Sequence, residues 1–190
     1  MTATPHFPLL GEPVSLDLVN TRVRCGGADV DLLDTPSALA AWLAAESGRL
    51  SWSGVVTAAD LRAVRTLRDA IAALLRARCV RARPPSGAMK VVNTALSASV
   101  PATRLAWTAK GPRAERGSAG SRRDTLLRAL ALDALNILTG PDATLVRTCE
   151  HPDCVLRFLA RNPRRRWCSA SVCGNRARVA RHYLRHRTNA

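Results

Sequence analysis

The stretch Cys149–Arg187 reads CEHPDCVLRFLARNPRRRWCSASVCGNRARVARHYLRHR, and it decides how the C-terminal part of the chain is built. Four of the six cysteines lie here as two pairs, Cys149 with Cys154 and Cys168 with Cys173. Each pair encloses four residues, and thirteen residues separate the pairs. Short, matched cysteine pairs are the signature of a structural zinc site. Zn²⁺ prefers four ligands in a tetrahedron, and two tight turns can each present two thiolates to one ion. The competing reading is a pair of disulfides. Nothing marks the chain as secreted, and a reducing cytosol disfavours them. His151, and His182 with His186 at i,i+4 spacing, are also donor types, but four thiolates already complete the tetrahedron. Such a site leaves no open position for catalysis.

The residues around the second pair are more specific than the spacing. The run Arg165-Arg166-Trp167-Cys168, the tetrapeptide Cys173-Gly174-Asn175-Arg176 and the basic segment after it resemble the CGNR zinc-finger family, which is named for that tetrapeptide. One departure is visible: relatives carry an Asp-x-Ser type segment after the aromatic of the central loop, and this chain has Ala160-Arg161-Asn162-Pro163 after Phe158. Near the other end, Val14–Arg24 (VSLDLVNTRVR) resembles the opening of the ABATE domain, which commonly precedes that finger. The resemblance implies a transcription regulator that binds DNA.

Composition agrees in kind. The formal net charge is +15, and of 29 basic residues only Lys90 and Lys110 are lysine. From residue 147 onward, eleven arginines face only Glu150 and Asp153. A polyanionic partner follows from such a balance. After Cys173 a helix is expected to about Arg187, with Arg178, Arg181 and Arg185 along one strip and Ala177, Ala180 and Leu184 along an apolar strip that docks on the body. Arg164, Arg165 and Arg166 form a second cluster, and Arg176 completes the candidate nucleic-acid contacts. Guanidinium groups pair with phosphate and read guanine, so duplex DNA is the expected partner. RNA or a protein partner is the alternative. Trp167 is expected to pack beside the metal, and Gly174 to take a positive φ at the zinc turn.

The remainder reads as helical. The chain has only two Phe, four Trp and one Tyr, so its core must be built from Leu, Val and Ala. Val14, Leu16 and Leu18 alternate with polar residues, which suits a short strand or an extended lead-in to a helix. Two readings of Asp17 and Asn20 stand side by side: ties to local backbone, or the lining of a small-ligand pocket. Asp34-Thr35-Pro36 opens a helix carrying Leu39, Trp42 and Leu43, with Asp34 or Thr35 as its cap. Thr57 and Asp60 form a capping box for the longest helix, which runs to about Ala82. Arg62, Arg65, Arg68, Arg76 and Arg78 are read as its solvated face, and Cys79 as a small packed side chain. Ser86 caps a further helix, Thr103–Thr108 and residues 113–117 read as two strands, residues 117–120 as a loop, and Ser121–Thr139 as an apolar helix.

The expected fold is therefore mainly α with a small β element: a multihelical domain over residues 1–145, then a four-cysteine finger over residues 146–190 ending in a basic helix. Its direct connection through Leu145–Arg147 implies that the finger packs on the helical domain. No secretory signal or apolar span is visible, so the expected address is the cytoplasm. No phosphate loop, nucleophile elbow or His-Glu metal motif argues for an enzyme. Ligand sensing or homodimer formation is the expected work of the N-terminal domain.

Overall fold

A computed structural model describes residues 6–98, 103–116 and 120–187. Among these are six α-helices and three two-stranded antiparallel sheets. The helices are α1 (Val14–Val19), α2 (Pro36–Ala45), α3 (Ala58–Cys79), α4 (Ser86–Ser97), α5 (Arg122–Thr139) and α6 (Cys173–Arg187). The hairpins are β1–β2 (Arg22–Cys25, Ala28–Asp31), β3–β4 (Thr103–Thr108, Gly111–Arg116) and β5–β6 (Val146–Thr148, Arg157–Leu159).

The long helices start where their caps dictate. Thr57 accepts from the Asp60 N–H while Asp60 accepts from the Thr57 N–H, and Ser121 with Asp124 repeats the arrangement for α5. Each box satisfies two backbone donors that a helix start would leave unpaired. Thr35 caps α2 ahead of Pro36. At α4, Ser86 is the first helical residue and makes no capping bond; Pro85 precedes it. Helices α3, α4 and α5 pack around Leu67, Ile71, Leu74, Leu126 and Leu130, with Trp42 of α2 wholly buried.

The opening segment departs from the strand alternative. Val14–Val19 is a helix with every residue buried, seated between α3 and α5. Full burial erases the polar side that would reveal a helical period. Ser15 donates to Asp133 of α5 at 2.8 Å from its N–H, which satisfies a buried start. Hairpin β1–β2, absent from the sequence reading, follows at once. Its two-residue loop is Gly26-Gly27 with φ of 57° and 81°. Positive φ at both positions matches the twist of a tight hairpin, and glycine takes it without steric cost.

Arg68 also departs from expectation. It is fully buried, not solvated. Its guanidinium donates twice to Asp31, at 2.6 and 2.8 Å, and once to Thr21 at 3.1 Å. Hairpin β1–β2 covers that part of α3 and supplies the carboxylate. Cys79 is exposed rather than packed, and Cys25 is exposed too. Residues 117–119 of the expected loop lie outside the described part. No described helix is long and apolar enough to cross a membrane.

The finger docks on the helical part through both apolar and polar contacts. Val146 and Leu159 belong to the main core, while Leu10 and Val23 pack against the core of the finger. Asn20 closes a two-point clamp on β6: it accepts from the Arg157 N–H at 2.7 Å and donates to the Arg157 carbonyl at 2.9 Å. A carboxamide has one acceptor and one donor side by side, so it can pair with a strand edge as another strand would.

Candidate metal centre and nucleic-acid face

The four cysteines arrive from four different places. Cys149 follows β5, Cys154 precedes β6, Cys168 ends the arginine-rich loop, and Cys173 begins α6. Cys149 donates its N–H to Leu156 at 2.9 Å, and Glu150 donates to Arg166 at 3.1 Å, so the two halves are tied by main chain. All four Sγ atoms lie within 4.8 Å of one another. Cys168 Sγ is 3.8 Å from Cys154 Sγ and 3.6 Å from Cys173 Sγ. A zinc ion with four Zn–S bonds of about 2.3 Å requires sulfur–sulfur edges of about 3.8 Å. A disulfide requires about 2.05 Å and a unique partner, whereas Cys168 has two equal neighbours. The donor set fits one structural zinc ion.

Electrostatics point the same way. Thiols this close cannot all ionise on their own. A hydrogen bond from Cys168 holds the Cys154 thiol down at about 5. That same bond, with burial, pushes Cys168 far up, and burial pushes Cys173 up to about 12. A dication supplies the charge that lets all four become thiolates. The Cys168 N–H donates to Cys149 Sγ at 3.4 Å and spreads part of that charge into the backbone.

Around the metal, Phe158 is fully buried and Trp167 packs against the cysteine cluster, as expected of it. Gly174 is needed for a different reason from the one expected. Its φ is not positive among the described glycines. A Cβ there would lie 3.3 Å from the Trp167 ring and 3.5 Å from the Ser169 carbonyl, so glycine lets the helix start close against the indole. His151 accepts the Asp153 N–H through Nδ1 at 3.2 Å and serves its own turn. Asn162 stands in the segment that departs from relatives; its side chain accepts the Arg164 N–H at 2.9 Å, a turn-capping role that needs no carboxylate.

The candidate arginines separate into two groups. Arg165 is turned inward. Its guanidinium lies 4.3 Å over the Phe158 ring and donates to the carbonyls of Trp167, Leu159 and Cys168, the last at 2.7 Å. It also pairs with Glu12 at 3.0 Å. It is a buttress for the zinc loops. Arg166 pairs with Glu150 at 2.6 Å but stays exposed, as does Arg164. On α6, Arg176, Arg178, Arg181 and Arg185 are all exposed. The expected docking of an apolar strip does not extend along this helix: Ala177 is half-buried, but Ala180 is exposed, as are Val179 and Tyr183. The side chain of Leu184 lies outside the described part. Helix α6 thus stands away from the body for most of its length because little of it is apolar enough to dock.

Asp17 and Asn20 are each 1% exposed. Both side chains are engaged by other protein groups. Asp17 accepts from Arg49 at 2.6 Å and from the Leu10 N–H at 3.4 Å, and Asn20 makes the clamp on Arg157. Arg49 is shared with both oxygens of Glu46 and with the Glu12 carbonyl. Glu12 is the residue sequence reasoning missed; it accepts the Leu159 N–H at 3.0 Å and pairs with Arg165, so one buried carboxylate bridges the two parts. Its neighbours in sequence carry no signal of that role.

Burial pushes the Asp17 carboxyl up to about 6, against the hydrogen bond and charge of Arg49 that lower it. A carboxyl raised in the folded state binds its proton more tightly than the unfolded chain does. Its contribution to stability therefore grows as pH falls from about 6 towards the ordinary carboxylate value of about 4, and shrinks as pH rises. Carbon-detected NMR titration should give Asp17 a midpoint near 6. In Arg49→Ala that midpoint should rise; a fall would overturn the part assigned to Arg49.

A helical body fused to a four-cysteine finger defines the class: a zinc-finger protein holding one structural zinc ion through Cys149, Cys154, Cys168 and Cys173. The chain belongs to the ABATE family, described as "Putative stress-induced transcription regulator", whose family model matches residues 12–141. The CGNR zinc-finger model matches residues 146–186. Comparison with curated proteins finds no match.

Proposed function

We propose that this protein is a transcription regulator whose zinc finger binds duplex DNA through α6 and the Arg164–Arg166 loop. The observation that carries the reading is α6 itself. It holds five arginines and no acidic residue, and its described arginine side chains all face solvent. At 1.5 Å per residue it is about 22 Å long, enough to lie in a major groove about 12 Å wide. Arg178, Arg181 and Arg185 fall on one strip and suit phosphates or guanine edges; Arg164 and Arg166 suit the adjacent backbone. The ABATE description supports the regulatory part of the reading. The division at about residue 145 is part of the proposal: the finger contacts DNA, and the helical part senses or assembles.

The test is selection of the zinc-loaded protein on a random duplex library at physiological salt, followed by sequencing. An enriched motif supports a sequence-specific regulator. Weak, salt-sensitive binding without enrichment transfers the arginine face to RNA or to a protein. Arg178→Ala and Arg181→Ala should each lower the salt slope of DNA affinity by about one phosphate contact. An unchanged slope in both removes α6 from the interface.

A further inference from the structure

A cavity of about 420 Å³ opens where the end of α3 meets the first strand of the finger. Its wall includes Arg78 and Arg81 from the helical part, Thr144 from the turn after α5, and Arg147 and Thr148 from β5, with Cys79 beside them. Among the described residues no carboxylate lines it. Among the described residues none of the three arginines makes an ion pair; Arg147 donates only to the Pro163 carbonyl, at 3.4 Å. Arginines at a helix C-terminus complement the macrodipole, but that dipole amounts to about half a negative charge. Three guanidinium groups exceed it several-fold.

The backbone at Arg81 adds a second observation. Its φ is 53°, and it is the one described residue other than glycine with a positive φ. The Ala82 N–H donates to the Ala77 carbonyl at 2.9 Å, so the chain closes α3 with the turn that ordinarily places glycine at this position. An arginine in that conformation is costlier than glycine. Strain held at such a point suggests that the side chain is wanted. The volume lies in the range of small-molecule sites, which occur preferentially between packed units.

We propose that this cavity binds the phosphoryl group of a small phosphorylated ligand through Arg78, Arg81 and Arg147, with the Thr144 and Thr148 hydroxyls as further donors. Forked guanidinium groups match phosphate oxygens two at a time. A ligand held there touches both parts of the molecule. Thr148 adjoins the metal ligand Cys149, so occupancy bears on how the finger sits against α3. The site is independent of the reading of α6, because none of its arginines is on that helix.

The experiment uses zinc-loaded full-length Cys25→Ser, in which Cys79 is the remaining cysteine outside the metal cluster. Alkylation of Cys79 by neutral iodoacetamide is followed with and without inorganic pyrophosphate, ionic strength being matched with potassium chloride. Saturating pyrophosphate should slow the reaction at least about tenfold. The doublet Arg81→Ala/Arg147→Ala should lose the protection while keeping its zinc and its melting temperature. Calorimetric titration with pyrophosphate should show binding that the doublet lacks. Equal protection by potassium chloride, or protection that survives in the doublet, overturns the proposal. Protection by a short DNA duplex but not by pyrophosphate also overturns it, and assigns these arginines to nucleic acid.

Discussion

Replacing Cys168 with serine should strip the chain of stoichiometric zinc and melt the finger. Cys168 lies 3.8 and 3.6 Å from two of the other sulfurs, so its loss opens one corner of the tetrahedron. A serine hydroxyl stays protonated at neutral pH and is a poor substitute for a thiolate. Structural zinc in small fingers is worth about 10–16 kcal/mol in apparent binding energy. Losing one ligand of four removes about a quarter, or roughly 2.5–4 kcal/mol, which lowers zinc affinity by about 10² to 10³. The finger has little else to fold around. Its buried core consists of Leu156, Phe158, Ala160 and three of the cysteines themselves. The damage should spread. With β6 loose, the Asn20 clamp and the Glu12 contacts lose their partners, and hydrogen exchange should accelerate at Arg157 and Leu159. Competition with a chelating indicator measures the affinity. A variant that resists the chelator as the parent does would overturn the ligand assignment. Cys25→Ser, at an exposed cysteine far from the cluster in sequence, should leave both readouts unchanged.

Asp31→Ala should cost about 3–5 kcal/mol, because it leaves the buried Arg68 guanidinium without its bidentate partner. For a chain of this size that corresponds to a melting temperature lower by about 6–20 °C. Arg68 keeps Asp69 at 3.1 Å and Thr21, which satisfy fewer of its five donors. Arg68→Met should be milder, since it removes the charge and leaves Asp31 partly exposed beside Arg65 at 3.2 Å. The double variant should therefore be more stable than Asp31→Ala alone. If Asp31→Ala melts with the parent, the pair is not what fastens the first hairpin. The pH dependence has a definite sign. Burial alone would raise the Asp31 carboxyl, but the hydrogen bonds and charge of Arg68 outweigh it and hold the group below the usual range. Stability from this pair is present above the ordinary carboxylate pKa and is lost as pH falls through the lowered value. Asp17 works in the opposite direction over its own window, so the two can be separated by an acid titration of the melting temperature in Asp31→Asn and Asp17→Asn.

Much of the fold was legible because the signals are local. The capping box at Thr57, Pro36 in the first turn of α2 and the hairpin Thr103–Thr108 with its return all rest on residues within a few positions of each other. The metal centre was legible for the same reason: two short cysteine pairs constrain their own turns, and tetrahedral zinc constrains the rest. Hairpin β1–β2 carried a readable Gly26-Gly27 signal between short strands, but little of the surrounding alternation that makes such a signal stand out.

What distant residues decide was not legible. On helical period alone Arg68 belongs with Arg65 and Arg62 on a wet face, and only a carboxylate 37 residues away makes burial tolerable. Asn20 looked like a local tie; it pairs with a strand 137 residues further on. Arg165 and Arg166 are neighbours in one basic run, yet one braces the zinc loops and the other stays at the surface. The chain by itself determined which of the longer segments are helical, where they start and which four sulfurs can share an ion, because those depend on short-range geometry and on the chemistry of the donors. Tertiary structure alone decided which charges are buried, which arginines remain open to a partner and where a cavity forms, because the cost of burying a charge depends on groups that only folding brings beside it.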